Sequence, residues 1–528
     1  MTTRTDQPGA LLQSGYRALS ESRIAEAVEC CRQALQVKPD FVDAHFLVGL
    51  CGLESKNRKP AIQAFTAVTR LQPDHAAAWA HLAKLFIGGG WVNRADAALA
   101  EAVKHGSEDP VVLDMLGSVY SRMGEYGLAG DWFEKAVSGR PEYPPFMFNL
   151  ANNYVYRGRI DEAADLFQRI IAIQPNSPQV HWSLAGVRRV KDDKHIDEMR
   201  SLLAPGSLHP RARAYYYFGI GKELEDLESW DEAFDAFRRG AKARRQTVEY
   251  DEAAEIEMFR FLEDNFDSGW LHVAAGHESR APIFVLGQPR TGTTLIERII
   301  SSHSQVQSAG ELQQFSLAVR RLSSHRGPRQ FSAAFFAAAK DIDPAKLGAL
   351  YLETSQRMRG ETPRFVDKLP HNYLMIPLIM RALPHAKIVH LVRDPMDACF
   401  ASYKQLFADA YLHSYDLGET ARHHARYLSL MDTWRKRFPG GFFDISYEDT
   451  VGDLEKHARA LIDYLELPWE DSCLRFYEKD EAVSTASAVQ VREPVHTRSI
   501  GRWRRYEQQL AGLRTALQQE GVRVNDAD

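Results

Sequence analysis

The chain reads as two architectures in series: an all-α repeat solenoid, then an α/β domain with a mostly parallel sheet and a P-loop-type glycine turn. Two patterns carry this reading. In the first half, small and apolar residues recur every 34 positions. In the second half, short β-like apolar runs alternate with helical stretches. At 528 residues the chain has room for both parts, each with its own core.

Ala27, Ala61, Ala95, Ala129 and Ala163 share one register, and Gly15, Gly49, Ala83, Gly117 and Ala151 precede them by twelve residues. Pro39, Pro73, Pro141 and Pro175 follow by twelve, with Ser107 in the odd slot. Cys31, Phe65, Leu99, Phe133 and Phe167 form a further apolar series. Each unit is expected to be a helical hairpin. Small residues let two helices approach, the larger side chain fills the gap, and proline ends the second helix. The period and this residue order resemble the tetratricopeptide repeat (TPR). Ala185 carries the register into a sixth unit that turns irregular around 191–199, and a hairpin near Gly221, Ala233 and Phe237 is shifted by two residues. The array is placed at 8–245. Packing alone accounts for these slots, whereas the functional expectation is a concave surface for a peptide, a protein partner or the acceptor substrate.

Residues 246–280 lack the period and read as a connecting helix and loop; the second domain is placed at 281–528. Strands are expected at 283–287, 364–366, 387–392 and 442–446, with helices at 293–302, 371–382, 396–408 and 449–465 among the intervening stretches. Ligands of such sheets sit at the carboxyl ends of the strands.

Four segments there carry chemistry. The first, Gly287-Gln288-Pro289-Arg290-Thr291-Gly292-Thr293-Thr294, joins a strand to a helix N-terminus, where backbone N–H groups and the dipole favour an anion. Where a nucleotide triphosphatase carries Lys followed by Ser or Thr, this loop has Thr293 and Thr294, and its positive charge sits at Arg290. In the second segment, Arg393 ends a buried strand and precedes Asp394, Pro395 and Asp397, with Ser402 and Tyr403 beyond. Arg393 holds a second phosphate or pairs with Asp397 across one helical turn. Asp394 imitates the magnesium-binding aspartate of ATPases, but the loop lysine of that chemistry is missing.

In this order the two segments resemble the sulfotransferases that use 3′-phosphoadenosine 5′-phosphosulfate (PAPS), and the arginine-bearing loop is most similar to the tyrosylprotein branch. The arrangement of repeats followed by this domain resembles bacterial TPR–sulfotransferase fusions. The resemblance implies that Gln288, Arg290, Thr291, Gly292, Thr293 and Thr294 hold the 5′-phosphosulfate, while Arg393 with Ser402 holds the 3′-phosphate. The serine of that family lies eight residues after the arginine, a position occupied here by Ala401. PAPS needs no metal, and sulfuryl transfer depends mainly on positioning and charge stabilisation.

The third segment, Ser308-Ala309-Gly310-Glu311-Leu312, offers a carboxylate. The resemblance puts Glu311 at the general-base position; a helix-capping or solvated glutamate is the plainer reading. The fourth, Phe365 to Asn372, contains Lys368 at the position of the family's catalytic lysine, and His371 as a second candidate base. Tyr447 falls in the strand-end Tyr-Glu element near the nucleotide. Ser487 and Arg502 fall in a late segment that closes on PAPS. Ordinary packing explains Tyr447 equally well; Arg502 is the best basic candidate of the late segment, a solvated Arg-Trp-Arg-Arg face being the plainer reading.

The expectation is a cytoplasmic, bacterial, PAPS-dependent sulfotransferase acting on a peptide, carbohydrate or small-molecule hydroxyl. Its rivals are an adaptor with an inactive or nucleotide-binding-only domain, and a P-loop kinase of small molecules. Lys and Arg total 65 against 70 Asp and Glu, a net charge of −5, which gives no global field for nucleic acid. No apolar run reaches the roughly 18 residues of a membrane span. Cys30, Cys31, Cys51, Cys399 and Cys473 show no metal or disulfide spacing.

Overall fold

The computed structural model describes residues 7–203, 206, 208–271, 275–479, 481–485 and 488–524. The chain divides into two compact units, Met1–Asn153 and Tyr154–Asp528.

The first unit is helical. Gln7–Ser20 pairs with Ile24–Val37, Val42–Glu54 with Arg58–Leu71, Ala76–Gly88 with Val92–His105, and Pro110–Arg122 with Tyr126–Gly139. The repeat alanines at 27, 61, 95 and 129 have no exposed surface. The reason for the glycine slots is direct. A Cβ on Gly49 would stand 2.6 Å from the Phe65 ring, and one on Gly117 would stand 2.7 Å from Phe133. Each hairpin turn also carries a residue with positive φ, at Ser22, Lys56, Gly90 and Gly124. That position keeps the 34-residue period of the alanines, but Ser and Lys at two of its slots hide it.

The second unit opens with helices of the same kind, including Ile160–Ile173, Pro178–Val187, Lys194–Leu203, Pro210–Asp226 and Trp230–Arg245. The last two share a core with Met396, Phe400, Tyr403, Trp503 and Tyr506. Glu252–Asn265 buries Met258, Phe259 and Leu262 beside the strands.

The strands are β1 (Pro282–Gly287), β2 (Val306–Ser308), β3 (Arg364–Asp367), β4 (Lys387–Val392) and β5 (Phe443–Ser446). They form one parallel sheet in the order β2-β3-β1-β4-β5. All six residues of β1 are buried, as expected for the centre of a sheet covered on both faces. From β1 the chain builds β2 and β3 on one side and then crosses to β4 and β5 on the other, so the glycine loop occupies the switch point where ligands bind.

Three helix expectations are corrected. The stretch at 396–408 is helical only over Pro395–Tyr403, because the Tyr415 hydroxyl then takes both the N–H and the C=O of Phe407, each at 2.9 Å. The stretch at 449–465 is two helices, Tyr447–Gly452 and Leu454–Tyr464, the second capped by the Asp453 side chain. The stretch at 371–382 opens as a 3-10 turn over Pro370–Met375 before Ile376–Ala382. Strand β2 was not expected; three residues are too short to show an alternation.

Candidate active site

The glycine loop is held by backbone conformations that suit an anion cradle. Gly287 has φ 146°, where a Cβ would lie 2.9 Å from the Leu391 carbonyl of β4. Gly292 has φ 102° and caps the helix Thr293–Ser301. A side chain there would strike the Tyr447 ring at 2.5 Å. Arg290 adopts the left-handed region, φ 64°, which few side chains other than glycine occupy. The Thr291 hydroxyl donates to the Gln288 carbonyl at 2.8 Å and stiffens the turn. Thr293 and Thr294 open the helix, whose first N–H groups have no partner within it. Gln288 is buried below the loop, with its amide nitrogen 3.3 Å from His423 Nε2.

Arg393, at the end of β4, is bound into this loop. It donates to the Arg290 carbonyl at 2.6 Å and to the Ser499 carbonyl at 2.7 Å, and its guanidinium lies 4.6 Å from the Tyr447 ring centroid. Its Nε is buried with no hydrogen-bond partner among the described residues. Asp397 approaches Arg393 only to 4.0 Å. Its carboxylate instead accepts the N–H of Gly501 at 2.6 Å and of Trp503 at 3.0 Å. Asp394 caps the helix by accepting the Asp397 N–H at 3.0 Å. Ser402 is buried and donates to the Pro289 carbonyl at 3.3 Å, so it underpins the loop.

The late segment also reaches the cradle. The Thr485 hydroxyl lies 3.3 Å from that of Thr294, and Gln490 accepts from Arg290 at 3.3 Å. Ser487 lies outside the described residues. Arg502 pairs with Glu225 at 3.0 Å, a carboxylate that also receives Lys404 and the Tyr506 hydroxyl at 2.6 Å each. Burial, then the charges of Arg393 and Arg502, pull the Arg290 guanidinium down to about 10. Clustered guanidiniums that disfavour one another in this way are what an anion would relieve.

At the neighbouring end of β3, Lys368 is almost wholly buried and its Nζ lies 2.5 Å from Glu311 Oε1. The Lys368 N–H donates to the Gly310 carbonyl at 2.9 Å, fixing the turn that presents Glu311. Glu311 itself is exposed on the other side. A second acid, Glu297 on the loop's helix, stands 3.9 Å from Lys368 and accepts the Ser308 hydroxyl. Burial raises its pKa above the usual glutamate value. His371 is half-buried, stacks on Tyr411 at 4.2 Å, and is driven by burial down to about 3, which leaves its imidazole neutral.

Two groupings therefore emerge: the loop with Arg393, Ser402 and Tyr447, and the pair Lys368–Glu311 beside it. Glu297, Thr485 and Gln490 were missed by sequence reasoning. Glu297 lies on the helical face that packs the sheet, which in sequence is indistinguishable from a surface acid. Thr485 and Gln490 lie in a stretch without periodicity.

Residues 282–471 match a sequence model described as the sulfotransferase family, and residues 122–185 match a tetratricopeptide repeat model. An uncharacterized protein of Aquifex aeolicus (strain VF5) is 31% identical over 349 residues, 64% of this chain and 45% of its own. Protein-tyrosine sulfotransferase 1 of Danio rerio is 27% identical over 236 residues, covering 42% of this chain and 65% of its own length. The chain thus spans less than two thirds of either relative. Among solved structures, a thermophilic TPR protein of Thermus thermophilus is 19% identical with a TM-score of 0.30, over 34% of this chain and 98% of that chain. No helix among the described residues is long and apolar enough to cross a membrane. Residues 282–471 are therefore similar to the sulfotransferase family, and they follow a helical region of tetratricopeptide-repeat type that the repeat model matches at 122–185.

Proposed function

We propose that this chain is a PAPS-dependent sulfotransferase that moves a sulfuryl group to an acceptor hydroxyl, a peptide tyrosine among the candidates. The supporting observation is one juxtaposition. The glycine loop with Arg290 and Arg393, and the Lys368–Glu311 pair, all lie at the carboxyl ends of four adjacent parallel strands, β2, β3, β1 and β4. The residues present suit such a donor: crowded guanidiniums, a buried Arg393 Nε with no partner among the described residues, and a helix N-terminus without a Walker lysine. Bound there, PAPS would supply the sulfuryl group.

The loop from Gln288 to Thr294 would hold the 5′-phosphosulfate through backbone N–H groups and the Thr293 and Thr294 hydroxyls. Arg393 would hold the 3′-phosphate, with Tyr447 beside it, Ser402 supporting the loop and Arg502 adding positive charge. Ser487 belongs to the same proposal by its place in the late segment. Glu311 takes the proton of the acceptor hydroxyl. Lys368 holds Glu311 in place and neutralises charge developing on the phosphate side, and Arg290 does the same from the loop.

Array, connector and transferase domain are assigned to 8–245, 246–280 and 281–528, the array offering a surface for the acceptor or a protein partner. The similarity to protein-tyrosine sulfotransferases supports a peptide acceptor. Five unpaired cysteines suit the reducing conditions of a cytoplasm. Calorimetry against adenosine 3′,5′-bisphosphate and Mg-ATP, followed by an acceptor screen with PAPS, tests the reading. Tight bisphosphate binding with turnover is expected. Magnesium-dependent ATP binding in its place would make the protein a kinase, and bisphosphate binding without turnover would make it an adaptor.

A further inference from the structure

Away from the cradle, where the repeat register breaks, two buried histidines meet. His181 sits on the helix Pro178–Val187 and His195 on the helix Lys194–Leu203, with His181 Nδ1 and His195 Nε2 facing each other at 2.8 Å. Their outer nitrogens are already committed. His181 Nε2 lies 2.8 Å from the Pro175 carbonyl, which can only accept, so that nitrogen carries a hydrogen. His195 Nδ1 lies 2.7 Å from Glu223 Oε1, a carboxylate with no exposed surface. With that carboxylate oxygen accepting, His195 Nδ1 also donates. Two neutral rings would then set lone pair against lone pair. A positive species belongs between them, either a proton or a metal ion.

Three features favour the metal. Glu198, three residues after His195 on the same helical face, places a carboxylate oxygen within 4.8 Å of a ring nitrogen of each histidine. It is exposed, which gives an ion a way in. Each imidazole is backed by a carboxylate or a carbonyl, the arrangement that orients metal-bound histidines. Finally, Glu223 Oε2 is buried without a hydrogen-bond partner among the described residues, and Arg188 reaches Oε1 only at 3.5 Å, so a negative charge there is poorly offset.

We propose that His181, His195 and Glu198 bind a divalent first-row transition ion such as Zn²⁺, with Glu223 and the Pro175 carbonyl as outer partners and water in the fourth position. Binding opens the facing nitrogens to about 3.3 Å, the separation that tetrahedral Zn–N bonds of about 2.0–2.1 Å require. The ion clamps the helix Lys194–Leu203 to its neighbour, a role separate from the metal-free transfer chemistry proposed for the cradle. A second trio, Glu255, His413 and His423, lacks this geometry. Its rings stack 3.5 Å apart at 13°, so their in-plane lone pairs run side by side, and Arg426 already neutralises Glu255 at 2.8 Å.

The test uses the full chain, stripped with chelator, titrated with Zn²⁺ by calorimetry and with Co²⁺ by visible absorption. One equivalent and the intense bands of four-coordinate Co²⁺ are expected. His195→Gln should abolish both signals. Glu198→Gln, at an exposed position that spares the fold, should weaken Zn²⁺ by about tenfold or more, and Glu223→Gln by about 10–100-fold. Circular dichroism confirms that each variant is folded. The proposal is overturned if the wild type binds no more Zn²⁺ than the His195→Gln variant, or if Glu198→Gln keeps full affinity. The first result leaves a proton between the rings, and the second an ion that Glu198 does not hold.

Discussion

Lys368 Nζ stands 2.5 Å from Glu311 Oε1, although 57 residues separate them in the chain. The contact joins the end of β3 to the turn after β2, so the proposed base and the proposed electrophilic lysine are set by one strand pairing. Glu311→Gln keeps the shape and removes the proton acceptor. Turnover should fall about 10²- to 10⁴-fold, with adenosine 3′,5′-bisphosphate binding unchanged by calorimetry. Undiminished turnover would remove Glu311 from the base role.

Arg393 donates to the carbonyls of Arg290 and Ser499, and its Nε has no partner among the described residues. Arg393→Ala should weaken the 3′,5′-bisphosphate by about 10–100-fold, the effect of losing a charged hydrogen bond of about 1.5–3 kcal/mol. Adenosine 5′-phosphate, which lacks the 3′ group, should bind about as before. Equal losses for both ligands would show instead that the variant had collapsed the loop.

The repeat slots make a stability prediction. Phe133 is buried against Gly117. Phe133→Ala should cost about 3–5 kcal/mol, while Gly117→Leu should destabilise through overpacking rather than a cavity. Denaturant unfolding followed by far-ultraviolet circular dichroism measures both. A neutral Gly117→Leu would contradict the close approach.

Buried histidines predict acid lability. Burial drives His371 and His424 from 6.5 down to about 3, and lowers His390 and His413 as well. Between the unfolded value and these folded values the unfolded chain binds protons that the native state refuses. Their contribution is therefore present above about pH 6.5 and lost as pH falls toward 3, at about 1.4 kcal/mol per pH unit for each histidine. Urea midpoints should be lower at about pH 5 than at about pH 7.5. His424, whose Nε2 is buried without a partner among the described residues, is the cleanest probe. His424→Phe should narrow the difference; an unchanged gap would clear this residue of the effect.

The sequence showed what local chemistry writes down. Ala27 to Ala129 announced their burial by period, and Gly287 and Gly292 marked the loop because backbone conformations there exclude side chains. Strand β1 was legible as a wholly apolar run ending in glycine. What stayed hidden depends on distance. Asp397 read as a partner of Arg393 four residues before it, yet its hydrogen bonds go to Gly501 and Trp503, more than a hundred residues on. Glu297 looked like one more helical acid until packing put it beside Lys368. The positive-φ turns at Ser22 and Lys56 carry residues that give no hint of that conformation.

The bonds from Gly501 and Trp503 to Asp397 have a temporal consequence. Translation delivers all five strands, the glycine loop and Arg393 well before it delivers Thr485, Gln490, Ser499 and Gly501. A nascent chain can thus complete its sheet while Asp397, Arg290 and Thr294 still await the groups that close around them. The proposed competence for nucleotide is gained at a late moment of synthesis, and a chain ending near 480 would hold every strand with an unfinished cradle.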